Sequence, residues 1–302
     1  MNAHPTDLVV GIDGSATALA AARWAAAIAA QRRRGLRLVH AVEELLVPYP
    51  HAEPAHQDLQ ALVGARGQRL LEEAADAATA VAPDVRPELI QRPEHAADAL
   101  LAESATAGMV VLGSPSSRPL GRVLLGSVSL ALAAHAECPV ALARPHVAED
   151  EPPTEGPVVV GVDGTPTSED AIAAAFEEAS WRGAPLTAVH CWREGVLSSV
   201  FAEGRWALDR AAVEKHEHEV LAQRLAGWQE KFPDVVVSRV VLPGNPAERL
   251  LELADRARLL VVGSRGRSGL AALALGSTSQ AVMSYALCPV LVVRGRKLSG
   301  RP

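Results

Sequence analysis

The sequence predicts two tandem α/β domains, each an open five-stranded parallel sheet with helices on both faces. Two observations support this prediction. Matching motifs recur along the chain at a constant separation of 150 residues, which indicates a duplicated domain. Within each copy, short runs rich in Val and Leu alternate with longer helical segments, and that order gives a parallel sheet with helical crossovers.

Five pairs of segments carry the repeat. The segment "LVVGIDGS" at 8–15 returns as "VVVGVDGT" at 158–165, and the other pairs match 36–42 with 186–192, 109–117 with 259–267, 124–132 with 274–282 and 137–144 with 287–294. A repeat of this length is a whole domain. The acidic, proline-rich segment "HVAEDEPPTEGP" predicts a linker at 146–157, which leaves one domain at 1–145 and a second at 158–302.

Apolar runs and capping residues define the elements of the first copy. Continuous apolar runs predict strands that are buried on both faces. Ser15 is a good N-cap for the first helix, which ends in the cationic run 32–34 and in Gly35 as its C-terminal glycine. The arginine run therefore has a structural explanation. The predicted strands are 8–12, 36–42, 85–90, 109–113 and 139–143, and the further helices are 57–80, 94–106 and 127–136.

The second copy repeats this order, with helices predicted at 166–182, 206–231, 245–257 and 277–286. In an open α/β sheet, ligands bind beyond the carboxyl ends of the strands, where the direction of winding reverses. The motif "GVDG" ends the first strand of this copy, and a glycine-rich stretch follows the fourth. If those strands are neighbours, the two motifs face each other across a crevice.

Composition limits the classes of function. Of all residues, 49% are hydrophobic and 3% aromatic, and the abundance of alanine favours helices packed closely on small side chains. The formal net charge of −6 argues against a nucleic-acid partner, which calls for a basic surplus. No apolar run approaches the roughly 20 residues of a membrane span, and the amino terminus is too polar for a signal peptide. We therefore expect a cytoplasmic protein that binds neither nucleic acid nor membrane.

The three cysteines, Cys138, Cys191 and Cys288, give an odd count without a C-x-x-C pair. This pattern argues against a disulfide framework and against a structural zinc site. We expect each thiol to be buried and unreactive.

The glycine spacing in "GSRGRSGLAALALGS" predicts an anion site. From Gly263 the pattern is two residues, Gly266, nine residues, Gly276 and then Ser277. Gly263 lets the chain leave the strand, Gly266 permits a positive φ, and the last pair opens a helix whose N-terminus favours phosphate. The main-chain amides between residues 263 and 277 are thus expected to converge on an anion. The alternative is a plain connecting loop.

Charged and hydroxyl side chains flank these glycines. Arg265 and Arg267 can add positive charge, and the Ser277 hydroxyl can donate to phosphate oxygens or cap its own helix. The stretch is neither a P-loop nor a dinucleotide fingerprint, because it lacks both glycine spacings. Asp163 suits a ribose hydroxyl, or a divalent ion such as Mg²⁺ that bridges to phosphates. The structural alternative is a carboxylate that accepts loop N–H groups.

His40 and His190 recur at the ends of the second strands, and we expect both to be hydrogen-bonded, half-buried structural residues. No carboxylate or nucleophile stands at a matched position in the repeat. The sequence contains no nucleophile elbow, no H-E-x-x-H and no paired carboxylates at an informative spacing. We therefore assign no catalytic residue.

These motifs together resemble the universal stress protein family. The segments that carry the resemblance are "VVGVDGT" at the start of the domain, "GSRGRSGLAALALGS" after the fourth strand and "CPVLVV" as the last strand. The G-2x-G-9x-G-[ST] spacing resembles that of the ATP-binding members, and the chain resembles a tandem member over nearly its whole length. The resemblance implies Rossmann-like domains of the adenine nucleotide α-hydrolase type, with ATP at the carboxyl ends of the first and fourth strands.

The resemblance also implies partners and site residues. The two domains are expected to pair through their last strands, which covers an apolar edge, and the association of two chains is left open. Val189 to Cys191 are expected near the adenine through backbone groups. The implied ATP-binding residues of the second copy are Gly161, Asp163, Val189, Cys191, Gly263, Arg265, Gly266, Gly276 and Ser277, and those of the first are Gly11, Asp13, Val39, Ala41, Gly113, Gly126 and Ser127.

The first copy departs from the glycine pattern. Where the second copy has Gly266, the first has Ser116, preceded by Pro115. Proline removes an N–H and fixes φ, and serine resists a positive φ. Gly121 offers compensation through a different loop shape. We predict a competent ATP site in the second copy and a weaker or differently shaped one in the first.

The sequence therefore predicts an ATP-binding stress-response protein that acts as a sensor or regulator rather than as a turnover enzyme. ATP would shift its conformational or assembly equilibrium by mass action. Two alternatives stay open. One is a slow ATPase or nucleotide-transferring enzyme, with a water positioned by Asp163 or by a metal ion. The other is a scaffold that binds no nucleotide.

Overall fold

The computed structural model describes residues 7–42, 53–114, 125–145, 152–192, 210–266 and 275–295. The described chain divides into two compact units, and the division falls between Pro152 and Pro153. Unit 1 contains the first copy of the repeat and unit 2 contains the second.

Unit 1 is a parallel sheet with the strand order β3-β2-β1-β4-β5. The strands are β1 (Leu8–Gly11), β2 (Leu36–Ala41), β3 (Glu88–Arg92), β4 (Met109–Gly113) and β5 (Val140–Ala143). All of these pairings are parallel, and Leu8 of β1 aligns with Leu36 on one side and with Met109 on the other. The direction of winding reverses between β1 and β4, which confirms the predicted neighbours.

The helices of unit 1 form two pairs, because α1 packs against α2 and α3 packs against α4. They are α1 (Ala16–Arg32), α2 (Glu53–Val81), α3 (Ala96–Ser104) and α4 (Ser127–His135). Alanine lets α1 lie close to the sheet because its side chain is small, and a methyl group also loses no rotamer entropy on burial. The buried alanines of α1 are Ala18, Ala20, Ala21, Ala22, Ala25, Ala26 and Ala29.

Unit 2 has the same parallel topology, with the strand order β8-β7-β6-β9-β10. Its strands are β6 (Val158–Val162), β7 (Leu186–Trp192), β8 (Val237–Pro243), β9 (Leu259–Gly263) and β10 (Val290–Val293). Its described helices are α5 (Glu169–Arg182), α6 (Arg210–Leu225), α7 (Trp228–Lys231), α8 (Pro246–Ala254) and α9 (Ser277–Tyr285). The core of each unit is the Val- and Leu-rich sheet, whose central strands are almost fully buried.

The end of the first helix differs from the prediction. The left-handed residue that ends α1 is Arg33, with φ 52, and not Gly35. In unit 2 the matching position is Gly183, with φ 56, where glycine removes the strain of that conformation. An added Cβ on Gly35 would lie 2.6 Å from Asp7 Oδ1, and the exposed Asp7 side chain would have to move to admit it.

Three other predicted boundaries were also wrong. The third strand begins at Glu88 rather than at 85, because the Val85 N–H donates to the Ala82 carbonyl in the turn after α2. The predicted helix 206–231 is interrupted at Gly227, which has φ 80 and separates α6 from α7. The predicted helix 166–182 begins as a 3₁₀ turn at 166–168, before α5.

A buried carboxylate in unit 1 joins α3 to two strands. Glu103 is 3% exposed and accepts hydrogen bonds from Arg37 of β2 and Arg92 of β3, the latter through Nε at 2.9 Å. The Arg37 guanidinium also donates to the Thr106 hydroxyl at 3.3 Å. The Glu103 hydrogen bond raises the pKa of Arg92. The corresponding residues of unit 2 are Thr187, Leu242 and Leu253, so this polar cluster belongs to unit 1 alone.

The three cysteines all lie among the described residues and are buried thiols, as expected. Burial raises the pKa of the Cys138 thiol to about 12, which keeps it protonated and supports the expectation that it is unreactive.

None of the described helices is long and apolar enough to cross a membrane.

Candidate functional site

The carboxyl edge of the unit 1 sheet borders a cavity of about 380 Å³. β1, β2 and β4 supply residues at or just after their carboxyl ends, and the starts of α1, α3 and α4 supply most of the others. All the site residues that the sequence implied for the first copy line this cavity, namely Gly11, Asp13, Val39, Ala41, Gly113, Gly126 and Ser127. The structure therefore brings these residues together, and their role in binding stays a prediction.

The lining of the cavity combines apolar and hydroxyl side chains. The apolar part includes Val39, Leu100 and Leu112, and the hydroxyl part includes Ser114 and Thr17. Such a lining suits a ligand with an apolar ring and several polar substituents. Within the floor, an added Cβ on Gly11 would lie 2.9 Å from both Leu100 Cδ1 and Leu112 Cδ2, so the strand and the two leucines pack closely.

In both units the aspartate after the first strand organises its own turn. In unit 1, Asp13 Oδ1 accepts the Ser15 N–H at 2.9 Å. In unit 2, Asp163 Oδ1 accepts the Thr165 N–H at 2.8 Å and the Thr165 hydroxyl at 2.6 Å. One carboxylate oxygen in each unit thus accepts a loop N–H group, which is the structural alternative that the sequence left open. The ligand role of these aspartates stays a prediction.

The glycines that follow these aspartates take the left-handed conformation. Gly14 has φ 82 and Gly164 has φ 80. The positive φ predicted at Gly266 was wrong, because Gly266 lies outside the left-handed region. An added Cβ there would lie 3.6 Å from Asp163 Oδ2, which is an ordinary contact. The Asp-Gly dipeptide was the signal in the sequence that would have identified the strained turn.

The helix that follows this turn begins as predicted. Ser15 caps α1, since its Oγ accepts the Ala18 N–H at 3.1 Å. The first turn of α1 lies directly against the end of β4, where an added Cβ on Gly113 would be 2.4 Å from the Thr17 carbonyl carbon and oxygen. Gly113 is therefore required by the close approach of two backbones. The matching Gly263 has more room, because its nearest atom, the Arg265 carbonyl oxygen, would be 3.2 Å away.

We expect Gly113→Ala to lower the free energy of unfolding of unit 1 by about 1–3 kcal/mol, because the methyl group meets backbone that cannot rotate away. Gly263→Ala is the matched control, and its loss should be clearly smaller. Urea denaturation, with hydrogen exchange to assign each transition to a unit, measures both. Equal losses in the two variants would show that the contact with Thr17 is not what requires glycine.

The N-terminus of α4 opens into the cavity. Its N-cap is Gly126, with φ −59 and ψ 149, and Ser127, Val128 and Ser129 of the first turn also line the cavity. Among the described residues, the amides of this first turn have no hydrogen-bond acceptor, as is usual at the start of a helix. Such amides and the positive end of the helix dipole favour an anion.

In unit 2 the corresponding helix α9 starts at Ser277 with Gly276 as its N-cap, at φ −74 and ψ 147. Among the described residues no side chain caps this helix, and the Ser277 hydroxyl does not take the capping role that the sequence left open. Part of the predicted cradle of amides was wrong. The Ser264 N–H donates to the Val293 carbonyl and the Gly276 N–H donates to the Ser264 carbonyl, both at 2.8 Å. These bonds fix residues 264 and 276, and among the described residues the amides at the start of α9 have no acceptor and are available to an anion.

The other residues predicted for unit 2 lie around the same strand ends. Gly161 and Gly263 are in β6 and β9, and Val189 and Cys191 are buried in β7. Arg265 is exposed after β9.

In unit 1 the Val39 carbonyl, a backbone group expected near the adenine, accepts the Ile12 N–H at 2.8 Å. This hydrogen bond also holds β1 to β2. Arg267 and the residues Pro115, Ser116 and Gly121, on which the predicted difference between the copies rests, lie outside the described residues.

The two histidines are structural, as expected, although His190 is more deeply buried than predicted. His40 Nδ1 donates to the Ile12 carbonyl and His190 Nδ1 donates to the Val162 carbonyl, both at 2.7 Å. His190 is fully buried, and its Nε2 lies 2.8 Å from Glu217 Oε2. The sequence gave no signal for the Glu217 contact, because it depends on how α6 lies across β7.

Several lining residues were missed. Leu100 and Ala96 come from α3, and Ser114 follows β4. A helix that starts just after the third strand must begin at the carboxyl edge of the sheet, and this was the signal for the first two. Ser114 Oγ accepts a hydrogen bond at 2.7 Å from Nη2 of the fully buried Arg144, so its place is decided by a tertiary contact.

A sequence model described as the universal stress protein family matches residues 6–144 and 156–294. Universal stress protein Rv2005c of Mycobacterium tuberculosis is 42% identical over 293 residues, which cover 95% of this chain and 96% of that protein. Universal stress protein Rv2623 of the same organism is 38% identical over 298 residues, with 95% and 96% covered.

A solved structure shares the fold. The crystal structure of a universal stress protein from Archaeoglobus fulgidus superposes with a TM-score of 0.69 at 17% identity, and the match covers 95% of this chain and 98% of that one. Two matches to the family model, one on each copy of the repeat, therefore coincide with the two parallel sheets.

Proposed function

The chain belongs to the universal stress protein family, and on that premise we propose that it binds ATP at the carboxyl edge of each sheet and acts as a stress-response regulator. ATP is the cofactor of this proposal, and binding rather than turnover is the event that carries the signal. Occupancy shifts the conformational or assembly equilibrium by the differential affinity of its states for ATP.

The observation that carries the proposal is the unit 1 cavity of about 380 Å³, which joins an apolar part, a turn with an aspartate and an open helix N-terminus. Apolar side chains such as Val39 and Leu100 suit a purine. The first-turn amides of α4 suit phosphate oxygens, because they offer N–H donors and a positive dipole end. Asp13, which also lines the cavity, suits a ribose hydroxyl.

Unit 2 offers the same donors at its own strand ends. Gly276 and Ser277 open α9, and the hydrogen bond from the Gly276 N–H to the Ser264 carbonyl fixes the start of this helix beside the end of β9. Preorganised amides lose little entropy when an anion binds. Mg²⁺, where it accompanies ATP, would be held by the phosphates and by the aspartate carboxylate of the turn.

The regulator role is supported by the engagement of the turn carboxylates. Asp13 Oδ1 and Asp163 Oδ1 accept main-chain amides, at 2.9 and 2.8 Å, so one oxygen of each carboxylate contributes to the turn. We expect no phosphate release from ATP above that of a Gly276→Asp, Gly126→Asp double variant. Sustained release above this control would favour the slow ATPase.

Isothermal titration of the full chain with ATP tests the proposal. We expect two unequal sites, with unit 2 the tighter, because Pro115 removes a main-chain N–H that Arg265 has at the matching position of unit 2. Mass spectrometry of the purified protein should also detect co-purified ATP. Equal, tight binding at both sites would contradict the asymmetry, and no binding at either site would leave a scaffold that holds no nucleotide.

A further inference from the structure

In unit 2 one helix fixes the main chain on both sides of Asp163. His190 Nδ1 donates to the Val162 carbonyl at 2.7 Å, just before the aspartate. Arg224 Nε donates to the Gly164 carbonyl at 2.9 Å, just after it. Arg224 lies on α6, and His190 is itself held by Glu217 of the same helix at 2.8 Å. We call Glu217, His190 and Arg224 the α6 clamp.

The chemistry of the α6 clamp shows which groups donate a proton and which accept one. A carbonyl oxygen only accepts, so His190 Nδ1 carries a proton in its bond to Val162. The contact with Glu217 holds a second proton between Nε2 and the carboxylate, and a hydrogen bond with a charged partner is stronger than one between neutral groups. His190 is fully buried and the Glu217 side chain is 18% exposed, so water does little to weaken this pair.

Unit 1 lacks the clamp at matched positions. His40 makes the same bond to the Ile12 carbonyl, at 2.7 Å. However, Gly67 stands where unit 2 has Glu217, and Ala74 stands where it has Arg224. An added Cβ on Gly67 would lie 2.7 Å from His40 Cδ2, which shows that α2 passes this ring as α6 passes His190. Neither glycine nor alanine can donate or accept through a side chain.

We propose that Glu217, through His190, and Arg224 are positioning residues that hold the Asp163 turn in its ATP-binding geometry in unit 2 only. This inference rests on the proposed function. By fixing the carbonyls of residues 162 and 164, the clamp fixes the direction in which the aspartate leaves the strand. ATP binding to unit 2 is thereby coupled to the position of α6, and binding to unit 1 has no such coupling to α2.

The test uses the full chain in a Gly126→Asp background, so that titration with ATP reports unit 2. We expect Glu217→Ala to weaken ATP binding about tenfold, the effect of losing one charged hydrogen bond. Glu217→Gln keeps a side chain that can donate to Nε2 and should restore most of the affinity. Arg224→Ala should act like Glu217→Ala. Hydrogen exchange of the Thr165 amide, which bonds to Asp163, should accelerate in both alanine variants.

The outcomes separate the clamp from the proposed function. If the background chain binds ATP and Glu217→Ala binds it equally well, the clamp is overturned and the proposed function stands. If Glu217→Gln is as weak as Glu217→Ala, a hydrogen bond donated to Nε2 does not hold the turn, and the clamp is again overturned. If the background chain binds no ATP, the proposed function fails for unit 2, and unchanged exchange at Thr165 in Glu217→Ala overturns the clamp by itself.

Discussion

Gly276→Asp is expected to weaken ATP binding by unit 2 at least about a hundredfold while its fold is retained, because a carboxylate opposite bound phosphate costs several kcal/mol. Gly276 has φ −74, which any residue adopts. An added Cβ would lie no closer than 3.5 Å to Ser264 O or Ser279 Oγ. Aspartate is moreover a preferred N-cap, so α9 should not be destabilised.

The matched control is Gly276→Asn, which has nearly the same shape and is an equally good N-cap but carries no charge. Titration with ATP, together with urea denaturation of both variants, measures the effect. We expect the asparagine variant to bind much more tightly than the aspartate variant at equal stability. If Gly276→Asp binds ATP as well as the parent does, phosphate does not lie at the N-terminus of α9.

Glu103→Ala is expected to lower the free energy of unfolding of unit 1 by about 3 kcal/mol, because it leaves half-buried Arg37 with only the more distant and exposed carboxylate of Asp7, 3.9 Å away. Arg37 is 13% exposed and cannot reach water fully, whereas Arg92 is 44% exposed and can. None of these residues lines the cavity, so ATP affinity of the folded protein should not change. Urea denaturation and titration with ATP check the two parts separately.

Two further variants show whether the loss comes from an unpaired charge. Replacing the cluster with the residues of unit 2, as Arg37→Thr, Arg92→Leu and Glu103→Leu together, should recover most of the stability, since apolar residues often substitute well for a buried ion pair. Glu252→Ala breaks the exposed pair with Arg249, whose atoms are 2.9 Å apart, and should leave the denaturation midpoint unchanged. A triple variant as unstable as Glu103→Ala would contradict the explanation.

The repeat made the fold and much of the site predictable. Alternation of apolar runs with helical segments has few solutions, and the parallel order with β1 beside β4 is the one found. Because the carboxyl ends of neighbouring parallel strands meet at one edge, Gly11, Val39 and Gly113 had to lie close together once the strands were placed. Errors occurred where two residues could each end a helix. The left-handed residue that ends α1 is Arg33, two positions before the predicted Gly35.

Sequence by itself determined the duplicated α/β architecture, the position of the switch point and the family, because apolar periodicity and motif spacing are local properties of the chain. Only the tertiary structure decided which glycine takes the strained turn, why Gly113 cannot carry a Cβ, and which helix residues fix the aspartate turn. These depend on the approach of segments distant in sequence, such as Thr17 to Gly113 and α6 to His190. Such contacts follow from how helices pack on the sheet, and packing is set by the whole folded chain rather than by any segment of it.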